Sequence, residues 1–255
     1  MLPSTTRALS ALTLSLALGL LAPSRGLAGE LPLENLGTDA ATKKAAWAQL
    51  KTALAADPKN HDLRIHLGAV LCGLGGEGDE DASDAALALF KDFYAENPND
   101  AVVRAFYGDA CTIHAKYVFF LFKPGWADTG FAHLDAAVAS APDNVNVRLL
   151  RALNSAEVPD YLGRDKVARE DFAWLLKRRD THPEEFSPTL LRALYFYAGR
   201  YALQHQEPVC VDLLTQAAAV PGDVPLCAKI KDALQQARAK FPAPSSTQLT
   251  ATTHA

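Results

Sequence analysis

Few residues in this chain have the chemistry to form a reactive or metal-binding site, and the first to consider are Cys72, Cys111, Cys210 and Cys227. An even number of cysteines in an exported chain is ordinarily consumed as disulfides, and four allow three connectivities. Cys111 and His114, in "CTIHA", share one helix face at i, i+3, and Cys72 and His66 are the candidates to complete a metal site there. Two ligands at helical spacing are half a site, and the paired Cys-x-x-Cys spacing of structural zinc is missing, so no metal is expected. Cys-x-x-Cys-His is missing as well, which removes covalent haem, and no other cofactor motif is present. The acidic stretch "GGEGDEDASD" (75–84) collects Glu77, Asp79, Glu80, Asp81 and Asp84, without an EF-hand's glycine and terminal Glu at their positions. A solvated turn in which Asp81 or Ser83 caps the next helix accounts for the same letters.

Catalytic patterns are equally thin. Glu157, Asp160, Glu170 and Asp171 supply carboxylates, but nothing orders them into an acid and a base. No Gly-x-Ser-x-Gly elbow, phosphate loop or His-Glu-x-x-His occurs. "EVPDYLGRDK" (157–166) reads as a long loop between hairpins with Asp165 near a helix start, and Lys177-Arg178-Arg179-Asp180 as the solvated end of that helix. The most unusual stretch is "KYVFFLFKPGW" (116–126), in which an apolar, aromatic run is followed by Lys-Pro-Gly-Trp. Such a run either pads the core or forms a binding surface, because exposed aromatics beside a cation are suited to ligand capture. On the second reading Tyr117, Phe122 and Trp126 face outward beside Lys123, and Arg192 and Arg200, flanking the aromatic set Tyr195, Phe196, Tyr197 and Tyr201, line a concave face.

The ends of the chain set the compartment. Arg7 precedes the apolar run "ALSALTLSLALGLLA" (8–22), and Pro23, Ser24 and Arg25 end it too early for a membrane span. Gly26-Leu27-Ala28 places small residues where a signal peptidase cuts, so residues 1–28 are expected to be a signal peptide and the product periplasmic or secreted, with no stable membrane span after cleavage. The formal net charge of −4 becomes −6 once Arg7 and Arg25 leave with the leader, which does not suit nucleic acid. Residues 29–40 read as an N-terminal linker and 241–255, rich in Pro, Ser and Thr, as a disordered tail. What lies between, 41–240, is Ala- and Leu-rich with few β-branched runs, a helical composition.

Positioning comes from a repeat. Pro58, Pro98, Pro142, Pro183 and Pro221 each close an amphipathic segment, at spacings of 40, 44, 41 and 38 residues. "AADPKNHDLRIHLGAVL", "AENPNDAVVRAFYGDAC" and "ASAPDNVNVRLLRALNS" share a design: a helix end, Pro in a polar turn, Asn or Asp in capping position, then an apolar series at helical spacing. Leu63, Leu67, Val70 and Leu71 fall on one face, and Val103, Phe106, Tyr107 and Ala110 on its counterpart. Gly68 and Gly108 stand ten residues after their prolines, where close helix crossing would justify the ~1 kcal/mol that glycine costs a helix.

With Leu67-Gly68 and Tyr107-Gly108 in the first helix of a pair, and Ala46-Leu50-Ala53-Pro58, Gly130-Leu134-Ala137-Pro142 and Ala86-Phe90-Pro98 in the second, the chain resembles the tetratricopeptide repeat (TPR) family. The match is best over 40–145. Beyond Pro142 the small-residue signature fades, with Arg151-Ala152 and Asp171 at key positions, and the units exceed the family's ~34 residues, with the excess placed in 75–81 and 122–130. The resemblance implies an all-α, right-handed TPR-like solenoid of nine or ten helices. In that register Cys111 is equivalent to Leu71, which sets Cys72 beside Cys111 on successive helices and leaves Cys210 for Cys227, some six residues out of register. The function implied is a non-enzymatic protein- or peptide-binding scaffold of the bacterial cell envelope. The alternative is an envelope enzyme or small-ligand binder with a pocket near Tyr117 to Trp126, and a third reading is a self-associating spacer.

Overall fold

The computed structural model describes residues 31–33, 38–222 and 224–242; the expected signal peptide and most of the expected tail lie outside the described residues. Among the described residues ten α-helices follow one another: α1 (Ala40–Ala56), α2 (His61–Gly76), α3 (Glu80–Glu96), α4 (Ala101–His114), α5 (Lys123–Ser140), α6 (Val145–Glu157), α7 (Asp165–Thr181), α8 (Pro188–Gln204), α9 (Cys210–Ala219) and α10 (Val224–Lys240). Single 3₁₀ turns at 160–162 and 183–185 complete the described secondary structure, and no strand occurs among the described residues.

The starts of the helices follow the proline turns closely. Asn60, Asp100 and Asn144, each two residues after its proline, accept backbone N–H bonds of the next helix at Leu63, at Val102 and Val103, and at Asn146 and Val147. A side-chain cap of this kind contributes about 1 kcal/mol and fixes where the helix begins. Ser187 caps α8 in the same way. The α2–α3 turn is shorter than its glycines suggest, since α2 runs to Gly76, and its cap is Asp79, bonded to Ala82 N, rather than Asp81 or Ser83. Lys123 to Gly130 is likewise not loop but the first half of α5, with Pro124 in the first turn, where its missing N–H costs nothing.

The helices pair as α2–α3, α4–α5, α6–α7 and α8–α9, and the first members also pack on one another in sequence, α2 on α4, α4 on α6, α6 on α8. They form an inner layer with the second members outside it; α1 covers α2 at one end, and α10 packs on α9 and α8 at the other. The joints are steric. A Cβ on Gly68 would meet the Phe90 ring at 2.1 Å, one on Gly108 would stand 2.7 Å from Gly130 O, and one on Gly130 would stand 2.6 Å from Gly108 O. Ala152, fully buried, holds the same register in α6. The signature does not end there, because a Cβ on Gly199 of α8 would meet Leu214 of α9 at 2.8 Å. The 157–166 segment, expected as a loop between hairpins, is instead the turn inside the third one, with Gly163 left-handed at φ 71°.

Candidate functional site

The aromatic run is not core. α4 ends at His114, and the chain turns through 115–122 before α5, leaving Phe119, Phe120, Leu121 and Phe122 each more than 60 % exposed. Six consecutive apolar letters suggest burial, but the hairpin's interior is already filled by the backbone contact of Gly108 with Gly130. The tip is nevertheless held from below. Tyr117 Oη donates to Gly75 O at the end of α2, Lys116 Nζ donates to Gly76 O (3.1 Å), and Lys123 Nζ donates to Lys116 O (2.8 Å). Trp126 lies edge-on to His114 (4.8 Å) over a small satellite core of Ala115, Ala127 and Phe131.

The expected binding residues therefore divide. Phe122 and Lys123 are exposed at the tip, Tyr117 and Trp126 are half-buried supports, and the exposed set gains Phe119, Phe120 and Leu121, which the sequence pattern does not single out. Arg192 does not line a concave face; it is buried, its guanidinium against Gly222 and 3.7 Å from Cys227 Sγ. Arg200 is exposed, 3.5 Å from Glu157 and lying over the Phe196 and Tyr197 rings. It stands on α8, away from the tip, so the six residues do not converge on one site.

All four cysteines are free thiols. Cys72 and Cys111 do lie close across the α2–α4 contact, as the repeat register requires, yet their sulfurs have separate partners: Cys72 donates to Asp109 and Tyr107 donates to Cys111. Burial pushes both thiols up, Cys111 to about 11. Cys210 and Cys227 are set apart by the antiparallel hairpin. Cys210 opens α9 within range of Lys240 at the far end of α10, whereas Cys227 stands beside Gly222 next to the turn.

Around Cys72 the inner layer carries a polar strip. Asn154 of α6 donates to Asp109 Oδ1 (2.7 Å) and to Thr112 Oγ1 (2.6 Å), so α2, α4 and α6 are tied through Asp109. Burial raises the Asp109 carboxyl above its ordinary range, against the Asn154 and Cys72 bonds that pull it down. Further along, Asp171 is fully buried and takes Arg148 (2.9 Å) and both ends of the Arg151 fork (2.7 and 2.8 Å), while Asp135 takes Arg164 in bidentate fashion (2.9 and 2.8 Å). Each carboxylate is held by guanidinium groups, which is structural pairing and supplies no free base. Arg178 is likewise no merely solvated helix end, since it clamps Glu185 (2.8 and 2.6 Å). Among the described residues no cluster of three metal-ligating side chains occurs, and His114 pairs with Asp84 (3.0 Å) rather than with Cys111. Two open depressions, of about 540 and 320 Å3, lie where α1 meets the α2–α3 turn, not around Tyr117 to Trp126. Of the four acids lining them, Glu77 is paired with Lys43 and Asp79 with Lys44.

No family model and no curated protein matches the chain. The crystal structure of a thermophilic TPR protein from Thermus thermophilus does: it superposes with a TM-score of 0.56 at 19 % identity, covering 80 % of this chain and 97 % of that one. The fold is TPR-like. In that frame the tip at 119–122 is an elaboration of the second TPR-like hairpin. No described helix is long and apolar enough to cross a membrane.

Proposed function

We propose that the chain is a non-enzymatic scaffold of the bacterial cell envelope that binds a protein or peptide partner, with the Phe119–Phe122 tip as its anchor. One observation carries the reading: four adjacent large apolar side chains are exposed at a position fixed by Tyr117 and Trp126, when Tyr161 and Val209 are the other exposed large hydrophobics among the described residues. An exposed apolar cluster on a rigid support is what an interface anchor requires, since little ordering entropy remains to be lost on binding. The envelope placement rests on the leader-like residues 1–28, and cleavage after Ala28 should be visible as a mass loss of that segment in the exported product. Affinity purification of the tagged chain from the envelope tests the scaffold. Phe119→Ser/Phe122→Ser should melt like the parent and lose the co-purifying partner; an unchanged partner set contradicts the proposal.

A further inference from the structure

The exposed apolar side chains of this molecule are not scattered. Besides Phe119 to Phe122, the exposed large hydrophobics among the described residues are Tyr161 and Val209. Tyr161 lies in the turn between α6 and α7, and Val209 in the turn between α8 and α9. Each occupies in its own hairpin the place that the tip occupies in the second. Single apolar residues spread over a surface need no explanation, but confinement to one class of turn does.

These turns form one edge. The inner helices α2, α4, α6 and α8 pack on one another in sequence, and each is followed by an antiparallel return, so all four end on the same side. Contacts between successive turns show the adjacency directly. Lys116 Nζ donates to Gly76 O, which ties the second turn to the first. Val158 and Leu162 of the third turn pack, with Trp126, on the satellite core beneath the tip. In the fourth turn Glu207 pairs with Arg169 and His205 with Asp165 (3.1 Å), both in α7 just beyond the third.

The first turn of the edge is acidic instead of apolar, and it is concave. The larger depression opens there, lined by Glu77, Asp79, Glu80 and Asp81 with Lys44 as its one cation. Lys43 and Lys44 take Glu77 and Asp79, while the exposed Glu80 and Asp81 enter no ion pair among the described residues. Tyr117 joins this depression to the tip: its hydroxyl donates to Gly75 O, and Asp79 and Glu80 lie within electrostatic range of its ring. The lysines at the base of the tip, Lys116 and Lys123, are turned onto backbone carbonyls and leave those two carboxylates unneutralised.

We infer that the four turns are one docking edge, and that its partner is a protein segment with an apolar stretch and a Lys or Arg cluster at one end. The apolar stretch covers Phe119 to Phe122 and runs on toward Tyr161 and Val209. The basic end enters the depression beside Glu80 and Asp81. The inference rests on the scaffold reading, and adds to it a longer surface, a direction along that surface and the partner's chemistry. Burial of the tip aromatics supplies the affinity, whereas attraction between the spare carboxylates and the partner's cations sets its register and orientation. The same acids repel an anionic bilayer, which makes a protein segment and not a lipid surface the fitting occupant.

The test pans a phage-displayed library of random dodecapeptides on the full chain. Enriched sequences should carry an aromatic or leucine cluster with Lys or Arg on one side of it. Fluorescence anisotropy with an enriched peptide should then show binding at least about tenfold weaker in Glu80→Gln/Asp81→Asn, which removes charge and keeps shape, and weaker by a smaller factor in Tyr161→Ser. No enrichment, enriched sequences without basic residues, or equal binding to Glu80→Gln/Asp81→Asn overturns the inference. Sedimentation of the parent with phosphatidylethanolamine–phosphatidylglycerol vesicles, lost in Phe119→Ser/Phe122→Ser, would assign the edge to lipid and overturns it as well. If Glu80→Gln/Asp81→Asn and Tyr161→Ser both keep the envelope partner that Phe119→Ser/Phe122→Ser loses, the extended edge falls and the scaffold reading stands.

Discussion

The second and third hairpins solve one packing problem in opposite ways. In α4–α5 the helices meet backbone to backbone, Gly108 against Gly130, and the crossing is made by close approach alone. In α6–α7 the glycine is replaced by Ala152, and the interface is held by Asp171, fully buried between Arg148 and Arg151, with Arg148 lying 4.2 Å over the Trp174 ring. The first solution tolerates no added atom. The second tolerates none removed, because a buried charge network is stable only while every member keeps its partners.

The largest effect is expected of Asp171→Ala, which removes the carboxylate shared by Arg148 and Arg151, each about 85 % covered, and leaves Arg151 only its Asp135 pair (3.1 Å). It should cost about 3–5 kcal/mol, read from urea unfolding, whereas Arg148→Met/Arg151→Met/Asp171→Leu should recover most of the loss. Next comes Gly108→Ala, whose Cβ meets Gly130 O at 2.7 Å and should cost about 1–3 kcal/mol, while Ala152→Gly in the third hairpin should cost only about 1 kcal/mol, the helix-propensity difference. A smaller and pH-dependent effect belongs to the strip joining the two hairpins. Because burial raises the Asp109 carboxyl, the folded chain holds that proton after the unfolded chain has lost it. Stability therefore falls as pH rises from the ordinary carboxylate value of about 3.9 through the raised one. Asp109→Asn should melt higher than the parent at pH 7, and the gap should close by about pH 3.5. The smallest effect on stability is expected at the tip, where Phe119→Ser/Phe122→Ser should stay within about 0.5 kcal/mol of the parent.

How much of this was legible in the sequence follows the same division. Gly68 and Gly108 can be read because glycine ten residues after a proline turn has one steric explanation, and the capping Asn60, Asp100 and Asn144 fix the helix starts. Gly199 falls outside the pattern because the turn at 183–187 contains an extra 3₁₀ turn that shifts the count from Pro183. The third hairpin looks degenerate because its joint is made of charges, and Asp171 reads as surface until its two arginines are found 20 and 23 residues earlier. The tip misleads in the other direction, since composition reports apolarity and not whether room remains inside. Arg192 reads as a surface residue although Gly222, a distant position, leaves space for its guanidinium. Leu31 and Leu33 are buried in the core although they fall in the expected linker, and they give no local signal because Asn146, which meets Leu31 N, stands 115 residues away.

The most direct test of the account is site-specific photo-crosslinking from position 120 in cells, with exposed Glu170 on α7 as the matched control. A tip that anchors a partner gives one dominant adduct from position 120, absent from position 170 and abolished by Phe119→Ser/Phe122→Ser. No adduct at position 120, or the same adducts from both positions, would contradict it.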